Sequence, residues 1–117
     1  MSAPVVQWQL VASNPDELVK FYRELFGWNI SVKNAMGYRQ VITGEGGING
    51  GVWPSPPGGQ SFVQLFVGVP DVASAVARAT ELGAAIIVPL TTLPDGDTMA
   101  VLKDPGGLTF GVMRHSQ

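Results

Sequence analysis

Residues 46–53 read GGINGGVW, and residues 106–113 read GGLTFGVM. Both copies run Gly-Gly, three variable residues, Gly-Val and a large apolar side chain. Each reads as a strand with a bare glycine at its centre, Gly51 in the first copy and Gly111 in the second. Glycine inside a strand costs about 0.5–1 kcal/mol relative to alanine, so its use at matching places needs a reason. Two reasons fit: room for a ligand against the strand, or close approach of two parts of a repeated architecture, one module to the other.

The surrounding sequence repeats with the same spacing. In SNPDELVKFYRELFGW (13–28), Asn14 suits an N-cap, Pro15 the first helical position, and Glu17 the third residue of a capping box. Leu18, Phe21, Tyr22 and Leu25 form an apolar stripe at helical spacing, and Gly27 suits a left-handed stop. PDVASAVARATELG (70–83) follows the same plan, with Asp71 as cap, Val72, Ala75, Val76, Ala79 and Leu82 as stripe, and Gly83 as stop. Strand-like runs flank both helices: VVQWQLV before the first and WNISVK, GYRQVIT and INGGVW after it; FVQLFVGV before the second and AAIIVPL, TMAVLK and LTFGVM after it. The offsets Gln7 to Gln64 (57), Asn14 to Asp71 (57) and Gly51 to Gly111 (60) predict an internal duplication of a βαβββ module. The expected organisation is one domain over 1–117, with module one at 4–53, a Pro/Gly-rich linker at 54–60 and module two at 61–114.

Composition narrows the function. The 117 residues are 45% apolar and 14% charged, with a net charge of −2 and no basic stripe, which argues against a nucleic-acid surface. With no cysteine, disulfides and thiolate chemistry are excluded. No run reaches the length of a membrane span, and the N-terminus lacks a basic region ahead of an apolar one. A soluble, cytoplasmic protein is the expectation. The carboxylates fall on helices, caps and turns rather than inside strands, and His115 is the one histidine. No metal or cofactor is therefore expected from ligand chemistry. The serines lack a nucleophile-elbow context, and GEGG (44–47) lacks the helix and lysine of a phosphate loop.

Two βαβββ modules with FYRELFGW closing the first helix and DPGG before the last strand resemble the glyoxalase, bleomycin-resistance and extradiol-dioxygenase superfamily, over nearly the whole chain. The resemblance implies an α+β fold: a cupped, eight-stranded mixed sheet with helices on its convex face and a ligand in the cup. Metal-using members hold a divalent ion through His or Gln on each first strand and Glu on each last strand. Those positions are Gln7, Gln64, Gly51 and Gly111 here, so both acids are missing. Loss of the metal is then a further reading of the glycines.

Strand parity carries this expectation further. If Gln7, Gln64, Gly51 and Gly111 face the cup, so do Gln9, Asn49, Trp53, Phe62, Phe66, Thr109 and Met113, while Val6, Trp8, Leu10, Val63, Leu65, Val67, Phe110 and Val112 face the helices. The candidate ligand-binding residues are thus Gln7, Gln9, Asn49, Gly51, Trp53, Gln64, Phe66, Thr109, Gly111 and Met113. Their mix of amides, rings and methionine suits an organic ligand. Trp28 and Trp53 can equally be core or dimer contacts, and Arg39 is either an anchor for an anion or an outward, solvated cation. The leading expectation is a metal-free protein that sequesters or senses a small, partly aromatic molecule, assigns no catalytic residue, and forms a homodimer. The alternatives are a divalent-metal lyase, isomerase or dioxygenase, and a plain interaction module.

Overall fold

A computed structural model describes residues 2–115. The chain divides into two compact units, residues 7–64 in one and residues 65–115 together with 2–6 in the other. Each unit is built from one helix and four strands. The first contains β1 (Val5–Ala12, from Gln7 onward), α1 (Pro15–Phe26), β2 (Asn29–Ile30), β3 (Arg39–Ile42) and β4 (Gly50–Pro54). The second contains β5 (Phe62–Val69, from Leu65 onward), α2 (Val72–Glu81), β6 (Ala85–Thr92), β7 (Thr98–Lys103) and β8 (Thr109–Arg114).

The strand orders are β2-β3-β4-β1 and β6-β7-β8-β5, so the expected duplication and α+β class are both present. In each unit the first and last strands pair in parallel and the other pairings are antiparallel. The registers repeat as well: Gln9 lies opposite Gly51, and Phe66, 57 residues after Gln9, lies opposite Gly111.

The helix ends follow their sequence signals. Asn14 accepts from the Glu17 amide at 3.3 Å and donates its Nδ2 to Glu17 Oε2 at 3.0 Å, a side-chain version of the expected capping box. Gly27 stops α1 in the left-handed region with φ 71°. Asp71 caps α2 through the Ser74 amide, and Gly83 adopts φ 103° beyond its end.

One core cluster in the first unit joins Ala12, Val19, Ile30, Val41 and Val52 with Trp8, Leu10, Leu18, Tyr22 and Trp28. In the second, Val72, Ala100 and Val112 pack with Val69, Val76 and Phe110 on the helix side, and Phe66, Met99 and Val101 pack with Leu93 and Met113 on the other side. The parity expected for Trp8, Leu10, Phe110 and Val112 is therefore correct. The α1 stripe is not as expected. Val19 is its buried residue, while Phe21 and Leu25 remain 57% and 58% exposed. The cluster reaches α1 only along the Leu18, Val19 and Tyr22 edge, because β2 is two residues long and extends the sheet little in that direction. Val63 and Leu65, expected against a helix, are also at least half exposed. Among the described residues no helix is long and apolar enough to cross a membrane.

The Asn14 cap gives a direct test. Asn14→Ala should lower stability by about 1 kcal/mol, read as a fall of a few degrees in the thermal midpoint.

Candidate functional site

The doubled glycine of β4 is explained by what lies on its two faces. On the helix side the Trp8 ring covers Gly50, its register partner, so closely that a Cβ there would meet ring atoms at 2.4–2.5 Å. Trp8 is held in place by donating its Nε1 to the Ile48 carbonyl at 2.7 Å. On the opposite side Tyr38 covers Gly51, where a Cβ would lie 2.2 Å from the ring and its hydroxyl. In the second unit the Phe66 ring covers Gly111, with a Cβ there meeting it at 2.3–2.4 Å. The space at both central glycines is filled by the protein's own aromatic rings. These ring contacts give both glycines a reason that needs no ligand.

The same observation tests a metal. A carboxylate at 51 or 111 would need a Cβ inside an aromatic ring, and among the described residues no group of three or more His, Cys, Asp or Glu side chains lies together. The residues present do not fit the divalent ion that the fold family implies. Gln7, moreover, is engaged elsewhere: its Nε2 donates to the Tyr38 hydroxyl at 2.9 Å.

That hydrogen bond belongs to a directed chain. Gln9 Nε2 approaches Gln7 Oε1 at 3.5 Å, Gln7 Nε2 donates to Tyr38, and the Tyr38 hydroxyl points to the Gly50 carbonyl at 3.5 Å. A carbonyl can only accept, so Tyr38 supplies its proton there and receives one from Gln7. Gln7 then turns its oxygen to Gln9, and Gln9 keeps Oε1 at the far end. Gln9 is 4% exposed and this oxygen has no hydrogen-bond partner among the described residues. Among the described residues the Oε1 of Gln64, which is 6% exposed, and the buried Nε1 of Trp53 likewise have no partner. Each such group costs about 1–3 kcal/mol if left unsatisfied. The Trp53 and Tyr38 rings lie 4.7 Å apart at 46°, which gives this side of the unit a ring surface beside its amides.

The other expected site residues fall as follows. Asn49 is exposed and its Oδ1 accepts from the Thr43 amide at 3.1 Å, tying it to the β3–β4 turn. Phe66 and Met113 pack with Met99, Val101 and Leu93, Gly111 lies under Phe66, and Thr109 opens β8 opposite Lys103. Trp28 belongs to the core, stacked on Tyr22 at 5.2 Å and 11°. Outside that set, Arg114 pairs with Asp97 at 2.9 Å on the surface, and residues 95–97 form a turn in which Asp95 Oδ1 accepts the Asp97 amide.

Tyr38 was not singled out in the sequence. Its place over Gly51 follows from the β3–β4 register: Gln40 lies opposite Gly51, and Tyr38, two residues away, shares its face. A large ring on a neighbouring strand is a recurring companion of a strand glycine. Arg39 is the other surprise. It is 8% exposed, faces α1 and pairs with Asp16, rather than projecting into solvent as a free cation.

These features coincide with a family match. Residues 5–112 match the model of the Glyoxalase/Bleomycin resistance protein/Dioxygenase superfamily, and the chain belongs to that family. It is 26% identical over 109 residues to the Mycobacterium bovis protein named "Putative glyoxylase CFP32", a match spanning 91% of this chain and 42% of that protein. The chain thus spans about two-fifths of the length of the curated relatives it matches. In fold it is similar to the hypothetical protein BH1468 from Bacillus halodurans, with a TM-score of 0.73 at 12% identity, covering 100% of this chain and 97% of that one. It is also similar to methylmalonyl-CoA epimerase from Mycobacterium tuberculosis, with a TM-score of 0.66 at 11% identity, covering 100% and 94% of the two chains.

The two covered glycines should respond differently to alanine. Phe66 is 1% exposed and has nowhere to go, so Gly111→Ala should cost about 1–3 kcal/mol in denaturant unfolding. Tyr38 is partly exposed and can swing aside, so Gly51→Ala should cost less while breaking the bond from Gln7.

Proposed function

We propose that the protein binds, without a metal, a small neutral planar molecule of the cyclic amide class, and so sequesters or senses it. The observation that carries this reading is the set of unpartnered buried atoms in the first unit. Gln9 Oε1 and Gln64 Oε1 can only accept, and Trp53 Nε1 can only donate. A ligand with N–H groups and a carbonyl, and a flat body to lie against Trp53 and Tyr38, offers a hydrogen-bond partner of the right kind to each of these atoms. Charged ligands are disfavoured, because these groups are uncharged and an unpaired buried ion is far costlier than a neutral amide.

The test is thermal shift against a panel of bicyclic lactams, each paired with its N-methyl analogue. At 100 times its dissociation constant a lactam should add about 2.7 kcal/mol of stability, and the N-methyl partner should add much less. Gln9→Leu should keep or raise the stability of the unliganded protein, since it removes an unsatisfied buried acceptor, and should abolish the lactam response. Silence across the panel, or a stoichiometric divalent ion retained through dialysis, would overturn the reading in favour of an interaction module or a metal enzyme.

We further propose a cytoplasmic homodimer, in keeping with the cysteine-free sequence and the outward apolar side chains of β6, the last strand in its unit's order. Ile86, Ile87, Val88 and Leu90 are 37–49% exposed, more apolar surface than an edge strand normally leaves uncovered. Light scattering should give twice the chain mass, and a monomer would exclude the dimer.

A further inference from the structure

The protein carries a net charge of −2, yet four of its seven basic residues line one groove. Lys20 and Arg23 come from α1, Lys33 from the segment after β2, and Arg39 from β3; Asp16, Val19, Ser31 and Val32 complete the lining of a space of about 360 Å³. With Asp16 as the one acid, the lining has a charge of 4 − 1 = +3. The groove lies on the helix side of the first unit, because Arg39 shares strand parity with the core residue Val41 and pairs with Asp16 of α1. Gln7 and Gln9 alternate with Trp8 and Leu10 and face the other side.

Arg39 is what separates this groove from a run of surface lysines. It is 8% exposed, its Nη2 is taken by Asp16, and its Nη1 is buried with no acceptor among the described residues. Arg23 is fixed at the rim by donating Nη2 to the Ile30 carbonyl at 2.8 Å. Lys20 and Lys33 are exposed and in no ion pair among the described residues. A single carboxylate would be matched by one guanidinium. A lining of charge +3, with a buried guanidinium nitrogen awaiting an acceptor and two flexible ammonium groups able to fold over it, fits a dianion with several oxygens. We propose that this groove binds a small phosphate monoester, with Arg39 as the fixed anchor and Lys20 and Lys33 closing on the phosphoryl oxygens. The site is separate from the amide-lined face, so either reading can fail without the other.

The test is an NMR titration of the full chain with phenyl phosphate at low ionic strength. Backbone resonances of Ser31, Val32, Lys33 and Arg39 should shift saturably, and sodium chloride at matched ionic strength should leave them in place. The double variant Lys20→Gln/Lys33→Gln alters exposed side chains only and should weaken binding about tenfold. Arg39→Gln should remove it. Asp16→Asn removes the competing carboxylate and should tighten binding severalfold, a response that an ion pair with a purely structural role would not give. If Arg39→Gln fails to fold, the double variant and Asp16→Asn decide the matter. Absence of saturable shifts in the parent protein, shifts reproduced by chloride, or affinity unchanged in the double variant would overturn the proposal.

Discussion

The constraint on which the molecule turns is the seating of an aromatic ring on a strand glycine. A side chain at Gly51 or Gly111 is excluded because Tyr38 or Phe66 already occupies the volume its Cβ would need. The backbone entropy given up by a mid-strand glycine is offset by burying a ring flat against the sheet, a large apolar contact at one position. Once that exchange is made, neither strand can carry an acid at its central position. The chemistry left to each unit is then set by which ring covers its glycine.

The two units have settled this differently. At Gly111 the ring comes from Phe66, the register partner on the adjacent strand, and it joins Met99, Val101, Leu93 and Met113 in an apolar cluster. At Gly51 the register partner is Gln9, too polar to fill the space with ring, and Tyr38 reaches in from the segment before β3. Its hydroxyl then needs partners, and Gln7 and the Gly50 carbonyl serve. On the helix side of the first unit the same device recurs, with Trp8 seated over its register partner Gly50. Duplication kept the backbone plan while size was traded between neighbouring strands.

Much of the fold was legible because its signals are local. The Asn14 and Asp71 caps, the left-handed Gly27 and Gly83, and the alternation of Trp8 and Leu10 with Gln7 and Gln9 all depend on residues a few positions apart. The repeat of Gly51 at Gly111 revealed the duplication. What was hidden depends on pairs distant in sequence. That Tyr38 fills Gly51 requires the β3–β4 register, and that Arg39 is buried requires α1 to bring Asp16 across 23 residues. The exposure of Phe21, Leu25, Val63 and Leu65 was misjudged for a related reason: an apolar stripe gives the direction a face points, not how far the opposing surface extends.

Net charge misleads in the same way. A chain at −2 with no basic run reads as indifferent to anions, because Lys20, Arg23, Lys33 and Arg39 are spaced unevenly over twenty positions and belong to three different segments. The helix-to-strand return after α1 brings them together, and burial acts on them selectively. A guanidinium held at low exposure between a helix and a sheet loses most of its screening by water, while the lysines beside it keep theirs. Arg39 is therefore the buried, Asp16-paired cation of the groove, and Lys20 and Lys33 beside it are the exposed ones. Across the sheet from it, the amides of Gln7 and Gln9 carry no net charge at all. The sheet of the first unit lies between these two environments, which is how one small unit can present a cationic surface on one face and a neutral polar one on the other.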